Sequence, residues 1–219
     1  MIFAAGLGTR MGALTRDRPK PLIEVAGRPL IDRTLDLVEG RDLRLVVNLH
    51  YRAAMLRAHL AGRGLLFADE GERLLETGGG LKAALPLLDS DPVFTLNSDA
   101  VWTGAAPLDT LAANWDDGRM EALLLLIPPG AATGHGGPGD FALAPDGRIT
   151  RGGPFVHSGA QIIRTGPVAA EPGAVFSLNR VWDGMLARGT VFGVVHRGGW
   201  CDVGRPESIA LAEALLEGA

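Results

Sequence analysis

Short, nearly unbroken apolar runs recur along the chain, separated by stretches in which apolar residues return every third or fourth position. The runs Met1–Ala5, Leu43–Leu49, Leu65–Ala68, Pro92–Asn97 and Ala122–Ile127 are too short for helices and predict strands buried on both faces. Between them, Pro29–Glu39 carries Ile31, Leu35 and Val38 on one side and Asp32, Arg33 and Asp36 on the other, an amphipathic helix. Ala53–Leu60, Leu81–Leu88 and Leu108–Trp115 also read as helices, with Thr77 ahead of the second as a candidate cap. Strands alternating with helices in this way predict an α/β fold, a mainly parallel sheet flanked by helices.

The second half breaks the alternation. Pro128–Pro138 is a Gly/Pro-rich loop containing His135. Pro145-Asp146-Gly147 is a turn between Phe141–Leu143 and Arg148–Thr150, which predicts a hairpin. Phe155–Ile163, Val191–His196 and Gly199–Val203 read as strands. Phe176–Ala187 and Pro206–Leu216 read as helices, the last with proline at its start. No repeat or long linker divides the 219 residues, so the pattern predicts one domain, 1–219, with a small antiparallel insertion over one end of the sheet.

Composition narrows the classes. Asp and Glu number 25 against 21 Lys and Arg, so the basic field expected of a nucleic-acid binder is missing. Lys20 and Lys82 are the only lysines in an arginine-rich chain. The single cysteine, Cys201, excludes an internal disulfide and a cysteine-based zinc site. No run reaches the roughly 18 apolar residues of a spanning helix. The expectation is a cytoplasmic protein without membrane or nucleic-acid partners.

The candidate chemistry begins at the first loop. Gly6-Leu7-Gly8-Thr9-Arg10 leaves the end of the first strand, and Pro19-Lys20-Pro21 fixes a second cation nearby in sequence. Glycines let backbone N–H groups approach an anion, and Arg10 and Lys20 add longer-range charge, a composition suited to a polyphosphate. The spacing is neither GxGxxG nor GxxxxGK[ST], so dinucleotide and Walker-type readings lose their main support. Ligands of open parallel sheets sit at the carboxyl ends of the strands. Asp99, in LNSDAVW, and Asp202, in GGWCDVG, occupy such ends, and two carboxylates beside a phosphate loop are what Mg²⁺ takes together with phosphate oxygens and water. His50, His157 and His196 show no metal-ligand spacing and read as structural.

These residues carry a resemblance. FAAGLGTRM and PKPLIEVAGRPLI resemble the opening signature of the sugar-1-phosphate nucleotidyltransferases, whose fold is a Rossmann-like, glycosyltransferase-A-type α/β fold. ETGGGLKAALPLL, LNSDAVW, HGGPGDFAL, FVHSGAQII and GGWCDVGRPE are similar to the short bacterial N-acetylmuramate-1-phosphate uridylyltransferases of peptidoglycan recycling. The chain departs from that pattern at Phe3, at Gly12-Ala13, at Ser98 and in FVHSGAQ, the last bearing on the sugar. The resemblance implies a nucleotide site of Ala5, Gly6, Gly8, Thr9 and Arg10 around the phosphates, and Glu76, Thr77 and Gly78 at the base. It implies Lys20 at the α-phosphate, Asp99 and Asp202 holding Mg²⁺, and Gly139, Asp140, Ser158, Gly159 and Glu171 beside the sugar. Arg10, Lys20 and Asp99 would be catalytic, and the partners a nucleoside triphosphate and a sugar 1-phosphate. Three other readings share these residues: a GTP-dependent mannose-1-phosphate transferase, a choline-phosphate cytidylyltransferase, and a non-catalytic nucleotide-sugar-binding regulator. The retention of Arg10, Lys20, Asp99 and Asp202 argues against the last.

Overall fold

The computed structural model describes residues 1–219. The chain begins with β1 (Ile2–Phe3), passes through 3₁₀ turns at Thr9–Thr15 and Lys20–Leu22, and makes a small ribbon from β2 (Glu24–Val25) and β3 (Arg28–Pro29). There follow α1 (Leu30–Asp36), β4 (Val46–Leu49), α2 (Ala53–His59), β5 (Leu66–Asp69), α3 (Glu76–Leu88) and β6 (Val93–Asn97). The middle of the chain holds β7 (Ala100–Trp102), α4 (Pro107–Asn114), β8 (Ala122–Ile127), β9 (Ala132–Thr133), β10 (Phe141–Leu143) and β11 (Ile149–Arg151). It ends with β12 (Val156–Ile163), α5 (Thr165–Ala170), α6 (Leu178–Ala187), β13 (Val191–Val195), β14 (Trp200–Asp202) and α7 (Glu207–Glu217).

Seven strands form the main sheet in the order β13-β8-β12-β6-β1-β4-β5. The ladders β1·β4, β1·β6, β4·β5 and β8·β13 are parallel, as the alternation predicts. β12 runs antiparallel between β6 and β8. Strand β8, apolar and buried at all six residues, and β4, buried at all four with Asn48 its one polar residue, are strands of a sheet covered on both faces. One large core cluster joins α3 and α6 to one face, centred on Leu81, Leu124 and Trp182. A second packs Leu108 and Leu111 of α4 against Leu123, Leu125 and Phe192 on the other.

The insertion expected in the second half is two pieces. β10 and β11 pair as the predicted hairpin. A separate three-stranded sheet, β7-β14-β9, draws residues from Ala100 to Asp202 together at the end of the main sheet.

Two local readings change. The first strand is shorter than Met1–Ala5: at Ala4 the backbone N–H leaves the ladder and donates to the Asn48 side chain at 2.7 Å. The third helix begins at Glu76, so Thr77-Gly78-Gly79-Gly80 is its first turn rather than a loop ahead of it. The glycines are there for close packing. A Cβ on Gly78 would stand 2.4 Å from the Phe176 ring, and one on Gly79 would stand 2.0 Å from the Ala174 carbonyl oxygen. The Gly78 and Gly79 N–H groups both donate to the Phe176 carbonyl, at 2.9 and 3.0 Å, so a neighbouring segment caps the helix.

Candidate active site

The carboxyl ends of β1, β4 and β6 open onto a cavity of about 220 Å³ lined by Ala5, Gly6, Lys20, Asn48, Glu70, Glu76, Thr77 and Asp99 among others. A second cavity of about 290 Å³, lined by Asp140, Arg151, His157, Gly159 and Trp182, shares Phe3, Thr77 and Asn97 with the first. Together they form one crevice running from the phosphate loop to the β10–β11 hairpin.

The loop after β1 is shaped by Gly8, at φ 65°, a conformation that disfavours other residues. A Cβ there would stand 2.9 Å from Thr15 and 3.0 Å from the Lys20 side chain. The Gly8 carbonyl accepts the Met11 N–H and the Thr15 hydroxyl, which folds the loop back on itself. Tyr51 donates from its hydroxyl to the Thr15 carbonyl at 2.8 Å and anchors the far end. Gly6, Thr9 and Arg10 are left exposed along the rim, and Arg10 has no hydrogen-bond or ion-pair partner within the protein.

Lys20 is buried, yet its Nζ reaches Asp99 Oδ2 at 2.7 Å. An ammonium has three donors, so this bond leaves two for a ligand. Asp99 stands just before β7, and β14 pairs with β7 so that Asp202 lies opposite Ala100. The Val203 N–H donates to the Asp99 carbonyl at 2.9 Å and completes the junction. Residues a hundred positions apart in sequence are thereby brought side by side. The Asp202 carboxyl is raised above the usual range, first by burial and then by the negative charge of Asp99; Lys20, Arg10 and His135 oppose the shift. A Cβ on Gly204 would meet both the Asp202 carboxylate, at 2.9 Å, and the Arg10 guanidinium, at 3.1 Å, so these two side chains share one small space.

Two carboxylates supply hard oxygen donors of the kind that suit a divalent cation such as Mg²⁺, one of them also paired with Lys20. No third His, Cys, Asp or Glu closes the group into an all-protein cage, which leaves room for substrate oxygens and water.

Some sequence-predicted residues fall elsewhere. Gly78 presents no free N–H to the crevice, because Phe176 takes it; Glu76 and Thr77 do line the wall. Glu76 sits at φ 62°, a conformation that a non-glycine residue holds only under constraint, at the mouth of the crevice. The Thr77 hydroxyl accepts the Leu178 N–H at 3.0 Å and so ties α3 to α6 rather than capping its own helix. Ser158 is buried away from the crevice, its hydroxyl accepting the Ala160 N–H and its carbonyl accepting the Trp200 indole N–H. Strand alternation places His157, Gly159 and Gln161 on the crevice side instead. Glu171 lies outside the crevice altogether, its carboxylate paired with Arg180 and its carbonyl accepting from Lys82 at 2.6 Å. Gly139, at φ 107°, allows close backbone packing against Gly153 and Pro154 and sets the position of Asp140, which faces the cavity.

Other lining residues carried no sequence signal. Asn48 donates to Glu70 Oε1 at 2.7 Å, and the other Glu70 oxygen accepts the Leu75 N–H at 2.8 Å, so this pair shapes the entry to α3. Asn97 lies where a Cβ on Gly159 would stand 2.7 Å from its side chain. Each is polar at the end of a strand, a signal too common to single out in sequence.

His157 is half-buried as a residue, but its Nδ1 is sealed without a hydrogen-bond partner. Burial pushes its pKa down to about 4, against the opposing charge of Asp140. The folded value lies below the unfolded one of about 6.5. The neutral ring therefore contributes stability that is complete above pH 6.5 and lost as pH falls toward 4. We expect its imidazole NMR signals to titrate near pH 4, and His157→Gln to flatten the acid limb of the stability curve by on the order of 1 kcal/mol. A titration near 6.5 would remove this account.

Comparison with known proteins supplies the family. Residues 1–132 match the MobA-like NTP transferase domain. The chain belongs to this family. Among curated relatives, N-acetylmuramate alpha-1-phosphate uridylyltransferase of Caulobacter vibrioides is 42% identical over 99% of this chain and 96% of its own length. The protein of the same name in Neisseria meningitidis serogroup B is 33% identical over 98% of this chain and 96% of its own. Among solved structures, HddC from Yersinia pseudotuberculosis complexed with GMP-PN superposes with a TM-score of 0.77 at 21% identity, covering 98% of this chain and 97% of that one. The inositol-1-phosphate CTP transferase from T. maritima superposes with a TM-score of 0.73 at 17% identity, covering 100% and 96%. At those identities the likeness establishes the fold of this MobA-like transferase. The chain is a nucleotidyltransferase by family, and none of its helices is long and apolar enough to cross a membrane.

Proposed function

We propose that the protein joins UTP to N-acetylmuramate 1-phosphate, giving UDP-N-acetylmuramate and pyrophosphate, as a cytoplasmic step of peptidoglycan recycling. The observation that carries this reading is the full-length likeness to two uridylyltransferases of that name. The arrangement of Lys20, Asp99 and Asp202 beside the phosphate loop supports the reaction type.

In this reading the backbone N–H groups from Gly6 to Thr9 and the unpartnered guanidinium of Arg10 bind the β- and γ-phosphates, where charge grows as pyrophosphate departs. Lys20, aimed by Asp99, uses its remaining N–H donors on the α-phosphate. Ala5, Glu76 and Thr77, with Asn48 and Glu70 behind them, bound the uridine. Asp140 and Gly159 bound the sugar. Asp99 and Asp202 would hold Mg²⁺, which when bound neutralises phosphate oxygens as a Lewis acid. The sugar phosphate is already ionised at neutral pH, so no general base has to be found. Its oxygen attacks the α-phosphorus in line, and catalysis is positioning plus charge stabilisation.

A pyrophosphate-release assay across four nucleotides and several sugar 1-phosphates tests the reading. The expected result is a strong preference for UTP with N-acetylmuramate 1-phosphate. A preference for GTP with mannose 1-phosphate would overturn the substrate assignment and leave the reaction type standing.

A further inference from the structure

The far end of the crevice contains a cation that the phosphate chemistry does not use. Arg151, at the end of β11, lines the second cavity together with Asp140, Phe141, His157 and Trp182, and no other Lys or Arg lines it. Its guanidinium lies over two aromatic rings, 5.0 Å from the Phe141 centroid and 5.7 Å from that of Trp182. Nε and Nη2 donate to Asp183 Oδ1 at 3.0 and 2.8 Å, and Nη2 also reaches the Asn179 carbonyl at 3.3 Å. Nη1 has no partner in the protein. The group is therefore fixed in plane by stacking and by its Nε and Nη2 bonds, with only the Nη1 donors free.

Two of the neighbouring polar groups are partly committed, and the Asp140 carboxylate adds negative charge to the same cavity. Gln161 accepts the Trp182 indole N–H and donates to Thr95, both at 3.0 Å. Asp140 Oδ2 accepts the His157 backbone N–H at 2.8 Å. Neutral sugar hydroxyls could be bound by amides and carbonyls alone. A stacked guanidinium with both Nη1 hydrogens free offers a charge-assisted, oriented hydrogen bond to a carboxylate oxygen. Asp183 shares the charge of Arg151 from the outer side, its side chain 61% exposed, which moderates the attraction without cancelling the orientation.

We infer that Arg151 is a specificity-determining residue that recognises a carboxylate on the sugar, namely the lactyl ether carboxylate that distinguishes N-acetylmuramate from N-acetylglucosamine. This inference rests on the substrate reading proposed above. It places the sugar along the crevice with its 1-phosphate toward Lys20 and its acidic substituent toward β11.

The test compares wild type and Arg151→Gln on three sugars with saturating UTP: N-acetylmuramate 1-phosphate, its lactyl methyl ester, and N-acetylglucosamine 1-phosphate. The expected result is a KM for N-acetylmuramate 1-phosphate raised about 10- to 100-fold in the variant, from loss of a charge-assisted hydrogen bond. The KM for UTP, and kcat/KM for the two neutral sugars, should stay unchanged, and Arg151→Lys should recover part of the loss. A merely structural Arg151 would lower all sugars and UTP together, which would overturn the inference. The methyl ester needs no variant: wild type should bind it about as weakly as Arg151→Gln binds the acid, and equal use of acid and ester by wild type would also overturn the inference. Failure of wild type to use N-acetylmuramate 1-phosphate at all would instead overturn the substrate reading.

Discussion

Asp99→Ala is expected to lower kcat/KM by about 10³-fold or more while the protein remains folded. Three consequences of the substitution act together. It removes half of the carboxylate pair formed across β7 and β14. It frees Lys20, whose Nζ has no other acceptor and whose side chain is only 11% exposed, so the ammonium is no longer aimed. It also removes the negative neighbour that adds to the effect of burial in raising Asp202, leaving the opposing charges of Lys20, Arg10 and His135. In the proposed reading Asp99 holds the metal, and loss of such a carboxylate forfeits several kcal/mol of transition-state stabilisation, each ~1.4 kcal/mol being tenfold in rate. The fold should survive, because the contact that joins the two strands here uses the Asp99 carbonyl rather than its side chain. An unpaired, partly buried Lys20 should cost about 1–2 kcal/mol of stability, visible as a lower urea midpoint. Asp99→Asn separates the contributions, since it keeps an acceptor for Lys20 and discards the charge. Activity near wild type in the Ala variant would contradict the assignment; retention in Asn alone would assign the effect to orientation of Lys20.

Gly79→Ala should destabilise the protein by roughly 2–4 kcal/mol, although alanine is the better helix former by about 1 kcal/mol. The added methyl would stand 2.0 Å from the Ala174 carbonyl oxygen and 3.1 Å from Leu75. Relief requires either α3 or the segment before α6 to move. That motion would break the paired bonds from Gly78 and Gly79 to the Phe176 carbonyl and disturb Phe176, which is buried in the main core. Gly184→Ala is the matched control. It lies within α6, where a Cβ meets nothing closer than the end of Arg188 at 3.6 Å, and it should gain up to about 1 kcal/mol. Chemical denaturation of both variants measures the difference, and the same sign for the two would refute the packing argument.

Much of the sheet was legible because β4, β6 and β8 are mostly apolar runs whose length excludes helices. The direction of β12 was not, since nothing within Phe155–Ile163 records which way its neighbours run; that is set by the connection through β10 and β11. Lys20, Asp99 and Asp202 were legible as candidate chemistry because each sits in a short and distinctive run, Lys20 between two prolines and the aspartates at strand ends. Ser158 was misplaced by reading two adjacent residues as facing one side, where alternation lets only Gly159 do so. The glycines after Thr77 invited a ligand-binding reading, but their partner is Phe176, nearly a hundred positions away. Glu171 looked available only because Arg180, its partner, lies on the following helix. Asn48 and Glu70 were invisible for the same reason, as each matters through the other. Sequence displays groups and spacing, whereas whether a donor or acceptor is free depends on contacts made at long range.

The pairing of β7 with β14 bears on how the protein is made. The match to the MobA-like domain ends at residue 132, and this portion already contains the phosphate loop, Lys20 and Asp99. Asp202 arrives about seventy residues later, on a strand flanked by β7 and β9 and backed by α7. During synthesis, a chain emerging from the ribosome could fold much of its nucleotide cleft before its second carboxylate exists. Competence to transfer a nucleotide would then appear only when the last strand and helix dock, so unfinished or C-terminally clipped chains could occupy substrate without turning it over.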